Sequence, residues 1–358
     1  MTSRLILAIN PGSTSTKFGL FSENTLIFEK TLRHTPAELS KFDFITDQFH
    51  FRKDMIMKEL VARKINLTGI SAVVGRGGLV KPIQSGVYRV NTKMVSDLRK
   101  GILGQHASNL GGLIANDIAS SLPGAEAYIV DPVVVDELQP LARISGHPEI
   151  VRISIFHALN QKAVARHYAG SVNRKYEDLN LIVAHMGGGI SIGVHRKGKV
   201  VDVNNALDGD GPFSPERSGG LPSGQLVDLC FSGKYSYAEI KSMITGKGGM
   251  TAYLGTNNFV EVCMKAEGGD KDAILIRDAL AYQIGKEIGA AAAVLKGKVD
   301  AIILTGGLAN EDSHVERVRS MVKFIANVIV YHGEDEIKAL AFNALMALDG
   351  KIKIRDYN

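Results

Sequence analysis

Tryptophan is missing from this chain, and cysteine nearly so: Cys230 and Cys263 are the only two among 358 residues. No Cys-x-x-Cys pair and no Cys/His ligand spacing occurs, which argues against a zinc site or a disulfide framework and fits a reducing cytoplasm. Long apolar runs are missing too. LILAI, residues 5–9, is broken at once by Asn10, Pro11 and Gly12, too short for a signal peptide or a membrane span, and no segment of spanning length follows. Nor is there a run of five or more basic residues. The charges are scattered and sum to +5, which points to anionic small molecules rather than nucleic acid or a membrane surface. The P-loop pattern GxxxxGK[ST] is absent. What remains, 45% hydrophobic and 22% charged, is ordinary globular composition in a chain long enough for two domains.

Glycine is plentiful, and its most informative use lies between Leu181 and Gly220, LIVAHMGGGISIGVHRKGKVVDVNNALDGDGPFSPERSGG. LIVAH is an apolar run of strand type, three glycines follow, SIGV alternates, HRKGK turns and VVDV alternates again. This predicts a three-stranded meander with a glycine tip in its first connection. Three consecutive glycines forfeit backbone entropy on folding. That cost is explained if something approaches the main chain closely, and backbone N–H groups at such a tip can hold phosphate oxygens. Asp202, Asp208, Asp210 and Glu216, followed by Arg217, suit a site for Mg²⁺ and phosphate. A hairpin with a flexible loop accounts for the same letters without chemistry.

The start of the chain repeats the design. A strand over 5–9 leads into NPGSTSTK, residues 10–17, and then into strands over 18–21 and 26–32. Two copies of one unit, each opening one half of the chain, predict a duplicated fold of two domains, 1–150 and 151–358, with the last helix free to pack back on the first. Helical periodicity is read over 53–64, 92–98, 108–122, 225–231, 237–244, 272–296, 315–325 and 336–348, and further strands over 70–74, 87–90, 127–130, 301–305 and 328–331. Residues 246–258, GKGGMTAYLGTNN, read as a polar glycine loop. Alternating strands and helices make this α/β, with helices layered on mixed sheets. Asp131 follows the strand over 127–130, where α/β proteins place chemistry.

Three tips can now be set side by side: NPGSTSTK at 10, AHMGGGIS at 184 and ILTGGLAN at 303. In this order they resemble the two phosphate tips and the adenosine loop of the superfamily of acetate kinases, sugar kinases, Hsp70 and actin. The strings INPGSTSTK, GRGG, QHASNL, VDPVVVDE, SIFHALNQK, AHMGGGISI, VNNALDGDGPFSPERSG and LTGGLA are similar to the acetate kinase family over nearly the whole chain, and within it to the butyrate kinase branch. The resemblance implies a duplicated actin-like (ribonuclease H-like) fold with the active site in the cleft between the domains. It implies an enzyme that reversibly transfers a phosphoryl group from ATP to a short-chain carboxylate, giving acyl phosphate and ADP by direct in-line displacement. It also implies Mg²⁺ and a homo-oligomer of at least two copies.

Residue by residue, the resemblance places Arg217 at the carboxylate and the transferring phosphoryl, with a surface ion pair as the alternative. Arg76, in GRGG, is the second arginine, although the family arginine stands three residues before an HGG whose histidine is here replaced by arginine. Asp131 matches an aspartate that holds Mg²⁺ or orients an arginine; a strand-end cap is its alternative. His157 matches the histidine that donates to the phosphoryl in flight, or else makes a helix-start contact. His185 matches a histidine near the γ-phosphate, or else is a satisfied core histidine. Asn10, Ser13, Ser15 and Lys17 form the first phosphate tip, with Asn10 also near the metal, and Gly187, Gly188 and Gly189 form the second. Gly306 and Gly307 face adenosine with Asn310. Glu336 matches the glutamate assigned to Mg²⁺, in a register shared with Glu334 and Asp335; an acidic residue favouring a helix N-terminus is its alternative. His106 and Phe156 border the acyl chain, although the segment around His106 is one residue shorter than the family's and lacks its proline.

The chemistry asks for groups of these kinds whatever the family. Two anions must be brought together, and cations must hold the charge of the transferring phosphoryl. A competing reading keeps the nucleotide tips and drops the acceptor: an ATPase switch of the actin and Hsp70 type. Arg76, His157 and Arg217, which such a switch does not need, speak against it. A sugar-kinase-type repressor is weakened by the lack of a helix-turn-helix segment before Leu5 or after Ile352.

Overall fold

The structure is a computed structural model that describes residues 4–333 and 335–358. In chain order it runs β1 (Leu5–Pro11), β2 (Ser15–Ser22), β3 (Thr25–Arg33), α1 (Pro36–Leu39), α2 (Phe49–Ala62), β4 (Ile70–Arg76), β5 (Val87–Arg89), α3 (Thr92–Lys100), α4 (Asn109–Ser120) and β6 (Glu126–Val130). It continues with α5 (Ala158–Ser171), β7 (Asn180–Met186), β8 (Ile190–Arg196), β9 (Lys199–Val203), α6 (Ser223–Cys230), α7 (Tyr237–Thr245), α8 (Gly249–Leu254), α9 (Phe259–Glu267) and α10 (Lys271–Val294). Last come β10 (Ala301–Gly306), α11 (Asp312–Val322), β11 (Val328–His332), α12 (Glu336–Leu348) and β12 (Ile354–Asp356).

These elements make two compact units, Met1–Val135 with Asp335–Asn358, and Asp136–Glu334. The first unit holds a mixed sheet in the order β12-β5-β6-β4-β1-β2-β3, the second a mixed sheet in the order β11-β10-β7-β8-β9. Each contains an antiparallel meander, β1-β2-β3 or β7-β8-β9, whose first strand is flanked on its other side by parallel strands, β4 and β6 or β10 and β11. The unit read twice in the sequence is therefore the unit built twice in the fold.

Burial on both faces explains why the first strands are continuous apolar runs rather than alternating ones. In β7, Ile182, Ala184 and Met186 join a core with α9, α10 and α11, while Leu181 and Val183 join a second core with Ala165 and Ala169 of α5. In the first unit, Leu7 and Ile9 of β1 pack with residues of α2, α3 and α4, and α12 lies against β1, β4 and β6.

Two local readings change. The expected loop over 246–258 contains α8, because the fully buried Met250, with Leu254 packed against the same core, draws a short helix onto it. Gly249, with φ +57° and its main chain against the Ser214 carbonyl, is what allows that turn to sit there. The sequence reading passes over helix α9, although Phe259, Val262, Cys263 and Ala266 are buried at helical spacing, and over β12, which is only three residues long.

His314, on α11, is fully buried, and neither ring nitrogen finds a hydrogen-bond partner among the described residues. Burial, followed by the charges of Arg317 and Arg277, pushes its pKa from 6.5 down to about 4, against the opposing pull of Asp278. Burial also pushes His195 well down. Both rings are neutral in the fold, while the unfolded chain takes up protons near the ordinary histidine value. Their stabilisation is therefore complete above about pH 6.5 and is lost as the pH falls toward 4. Urea midpoints should drop between pH 7 and pH 5, and His314→Leu should flatten that drop; a His314→Leu profile parallel to the wild type would contradict this.

Candidate active site

In the first unit the parallel register places the ends of three neighbouring strands together: Ile9 lies opposite Gly75, and Arg76 opposite Val130. Asn10, Arg76 and Asp131 therefore share one sheet edge, at the carboxyl ends of β1, β4 and β6. The start of α12 reaches the same edge. Glu336 Oε2 accepts from Asn10 Nδ2 at 2.6 Å and from Arg76 Nη1 at 3.0 Å, and Arg76 Nη1 also lies 3.4 Å from Asn10 Oδ1. Glu336 is 4% exposed, and its other oxygen, Oε1, is buried with no hydrogen-bond donor among the described residues. A buried carboxylate oxygen without a donor suits a cation. Asp131 stands one strand further along with φ +36°, and its Oδ1 accepts from the Ser85 hydroxyl at 2.6 Å and the Gly86 N–H at 2.8 Å. Glu334, the other member of the acidic register at this helix, lies outside the described residues, and Asp335 caps α12 through the Lys338 N–H.

The first tip is held from beneath by a residue that no sequence motif singles out. Arg52, on α2, has no exposed surface. Its Nη1 donates to the carbonyls of Gly12 at 2.7 Å and Ser15 at 2.9 Å and to Thr16 Oγ1 at 3.1 Å; its Nη2 donates to the Ser13 carbonyl at 3.1 Å. Gln48 Oε1 accepts from Nε and Nη2, and Thr16 Oγ1 also meets His34 Nε2 at 2.8 Å. No carboxylate stands within ion-pair distance of Arg52 among the described residues. Burial lowers its pKa to about 10, so it stays charged near neutrality. The carbonyls of the tip are turned inward onto this cation, and Ser13 is left exposed. Lys17 pairs with Glu29 on β3 at 2.9 Å. His106 forms the turn before α4, its Nδ1 accepting from the Ser108 N–H at 3.2 Å and meeting the Ser108 hydroxyl at 2.8 Å.

In the second unit the glycine tip joins β7 to β8. None of its three glycines needs positive φ. Gly189 lies directly against Arg217: a Cβ there would meet its guanidinium. Arg217 donates to the Ala206 carbonyl at 2.5 Å, and its neighbour Ser214 donates to the Gly188 carbonyl at 2.6 Å. Gly187 is buried and Gly188 exposed at the turn. The imidazoles of His157 and His185 stack face to face, 3.8 Å between centroids and 13° between planes. His185 Nδ1–H donates to Asn160 Oδ1 at 2.8 Å, and His157 Nδ1 lies 2.9 Å from Ser191 Oγ. Phe156, next to His157, is buried. Parallel pairing of Thr305 with His185 brings the end of β10 alongside. There Gly306, with φ +93°, packs its main chain on Met186, while Gly307 and Asn310 are exposed on the following turn.

The acidic string of the meander resolves differently from the sequence expectation. Asp202 pairs with Arg152 at 2.9 Å, Asp208 with Lys241 at 2.5 Å, Asp210 with Arg152 at 3.7 Å, and Glu216 accepts from Asn257 at 2.6 Å. These carboxylates are spent on ion pairs and loop contacts, and no group of three His, Cys, Asp or Glu stands ready to cage a metal among the described residues.

Arg52 is open to a stability measurement. Arg52→Met removes the donors to three tip carbonyls and should lower the unfolding free energy by about 3 kcal/mol. Arg52→Lys keeps the charge but not the fork that spans them, and should recover roughly half of that loss. Urea unfolding measures both, and an Arg52→Met protein as stable as the wild type would show that Arg52 does not clamp the tip.

The acetokinase family model matches residues 141–333. Butyrate kinase 1 of Clostridium acetobutylicum is 58% identical over 98% of this chain and 99% of its own length, and Butyrate kinase 2 of the same organism 57% over the same shares. The crystal structure of Porphyromonas gingivalis acetate kinase, 21% identical, has a TM-score of 0.78 and covers 97% of this chain and 100% of that one, a likeness of fold. The chain belongs to the acetokinase family.

Proposed function

We propose that this chain is a carboxylate kinase whose acceptor is butyrate, transferring the γ-phosphoryl of ATP to give butyryl phosphate and ADP, reversibly. The observation that carries this reading is the identity of 58%, spread over nearly all of both chains, with a protein named Butyrate kinase 1.

The geometry supports a division of labour. Arg217, pressed against the second glycine tip, neutralises the carboxylate and the equatorial oxygens of the transferring phosphoryl. His157 donates a hydrogen bond to that phosphoryl, and His185, stacked on it, serves the γ-phosphate. The first tip, with Asn10, Ser13, Ser15 and Lys17, and the second, with Gly187, Gly188 and Gly189, present N–H and hydroxyl groups to phosphate oxygens. Gly306, Gly307 and Asn310 meet the adenosine. Arg76 holds Glu336 and Asn10 in place and adds positive charge at the strand ends. Asp131, fixed by Ser85 and Gly86, orients the arginine side or a metal-bound water.

A divalent cation fits this donor set. Mg²⁺ is commonly held by one or two carboxylates together with substrate phosphates and water, so a three-carboxylate cage is not required. Glu336 through Oε1, which has no donor among the described residues, with Asn10 and Asp131, would hold it, and when bound it supplies charge neutralisation at the β- and γ-phosphates. The attacking carboxylate is already ionised near neutral pH, so no protein base is needed.

His106 and Phe156 border the acyl chain in this reading. Each added methylene contributes roughly 0.8 kcal/mol when buried, which limits discrimination between neighbouring acids to modest factors. The same reading includes a cytoplasmic setting, for which the two free cysteines are suited, and a homo-oligomer, for which the exposed Phe231, Tyr237 and Tyr253 of the second unit supply apolar surface. No helix among the described residues is long and apolar enough to cross a membrane.

Acyl-hydroxamate formation from ATP, Mg²⁺ and hydroxylamine tests the proposal across formate, acetate, propionate, butyrate, isobutyrate and valerate. Activity should peak at butyrate or its branched relative, and Arg217→Ala should lower turnover on every acid by about a hundredfold or more. Activity confined to acetate would overturn the acceptor, and no hydroxamate from any acid would overturn the kinase.

A further inference from the structure

We propose that a buried hydrogen-bond chain fixes His157 in the tautomer that carries its proton on Nε2, and that Ser191 and Gln161 are positioning residues that impose this state. The proposal deepens the functional reading above and rests on His157 being the phosphoryl donor.

Hydrogen-bond polarity is set first at an atom with only one possible role. The main-chain oxygen of Ser191 can only accept, and Gln161 Nε2 lies 3.0 Å from it. The amide nitrogen of Gln161 therefore faces Ser191, and it also donates to Ser191 Oγ at 2.8 Å. The amide oxygen, Oε1, faces the other way and lies 3.0 Å from His195 Nε2, which must then carry a proton. His195 is wholly buried and held neutral by that burial, so its Nδ1 is bare and accepts from the Tyr176 hydroxyl at 2.7 Å.

Toward the site the polarity is equally constrained. Ser191 Oγ receives Gln161 Nε2–H and, at 3.4 Å, the backbone N–H of His157. Two donors fill its two lone pairs, so its own proton is directed to His157 Nδ1, 2.9 Å away. Nδ1 accepts, and the imidazole proton sits on Nε2. The opposite tautomer would turn a lone pair, rather than an N–H, toward a phosphoryl oxygen.

The fold assembles this row from two short patterns. His157 precedes α5 and Gln161 lies one turn on, four residues apart on one helix face, with the Gln161 N–H bonded to the His157 carbonyl at 2.9 Å. Ser191, Gly193 and His195 are alternate residues on one face of β8. Gly193 leaves the space: a Cβ there would run into Gln161 Oε1 and stand 3.1 Å from His195 Nε2. Ser191, Gln161 and His195 are each buried, and a polar network this deep is tolerated because each of these links is satisfied.

The test reads the tautomer directly. In protein labelled with ¹⁵N-histidine, long-range ¹H–¹⁵N correlation at neutral pH should show His157 protonated at Nε2 and bare at Nδ1, with the signal assigned by its loss in His157→Gln. Ser191→Ala should introduce the Nδ1–H form and lower kcat at least about tenfold while the KM for ATP stays within about twofold; Ser191→Thr, which keeps a hydroxyl, should restore both. Wild-type His157 protonated at Nδ1 overturns the proposal even if every variant fails to fold. An unchanged tautomer in Ser191→Ala overturns it as well. A His157→Gln protein with full activity would sink the donor role of His157, and with it the positioning role, independently of the spectrum.

Discussion

Parallel pairing beside the first strand of each meander is the constraint on which the rest of the structure depends. The parallel runs β1-β4-β6 and β7-β10-β11 put the carboxyl ends of neighbouring strands side by side. A strand buried on both faces presents polar groups to solvent where it ends, and a parallel arrangement collects those ends along one edge. Asn10, Arg76 and Asp131 are gathered in that way in one unit, and His185, the glycine tip and Gly306 in the other. The duplication of the fold is thus also a duplication of the place where anions can be met.

Charge at these edges is costly to bury, and the fold meets the cost differently at each. Arg76 and Asn10 share one oxygen of Glu336, and the other has no donor among the described residues. Arg52 pairs with no carboxylate among the described residues; it is stabilised by the carbonyls and the hydroxyl of the first tip, and so fixes the direction in which that tip faces. In the second unit Ser191, Gln161, His195 and Tyr176 form a neutral relay behind His157. A cation lies beneath one tip, and a neutral hydrogen-bonded row lies behind the histidine beside the other.

Much of the fold was legible because its signals are local. The meander at Leu181 and helix α12, read over the same residues that the structure shows, follow from period and from cap chemistry within a few positions. Helix α8 was not legible, because Met250 and Leu254, packed on the core, and one left-handed glycine outweigh the loop character of their neighbours. For the site, residue types at the tips could be named, but the contacts that join them could not. Glu336 meets Asn10 across 326 positions and Arg76 across 260; the family resemblance sets Asn10 and Glu336 at one metal, but no local pattern gives the hydrogen bonds that join the three. Arg52 stands one residue before the helix that periodicity predicts, and only a tertiary contact makes it part of the tip. Ser191 and His195 sit two residues either side of Gly193 in a run with the pattern of a strand alone; the one available hint was a polar residue at alternate positions of an otherwise apolar strand. The acidic string Asp202, Asp208 and Asp210 misled in the opposite sense, since charge in sequence does not tell a ligand from an ion pair.

The measurement that bears most directly on the central claim follows oxygen. With butyrate labelled by ¹⁸O in both carboxylate positions, ATP, Mg²⁺ and hydroxylamine, attack of the carboxylate on phosphorus places one labelled oxygen in the bridge of butyryl phosphate. Hydroxylamine then takes the acyl carbon and releases that oxygen with the phosphate. Direct transfer predicts one ¹⁸O in each inorganic phosphate formed, seen by mass spectrometry. Phosphate formed without label would mean that water, not the carboxylate, receives the phosphoryl group, and would contradict it.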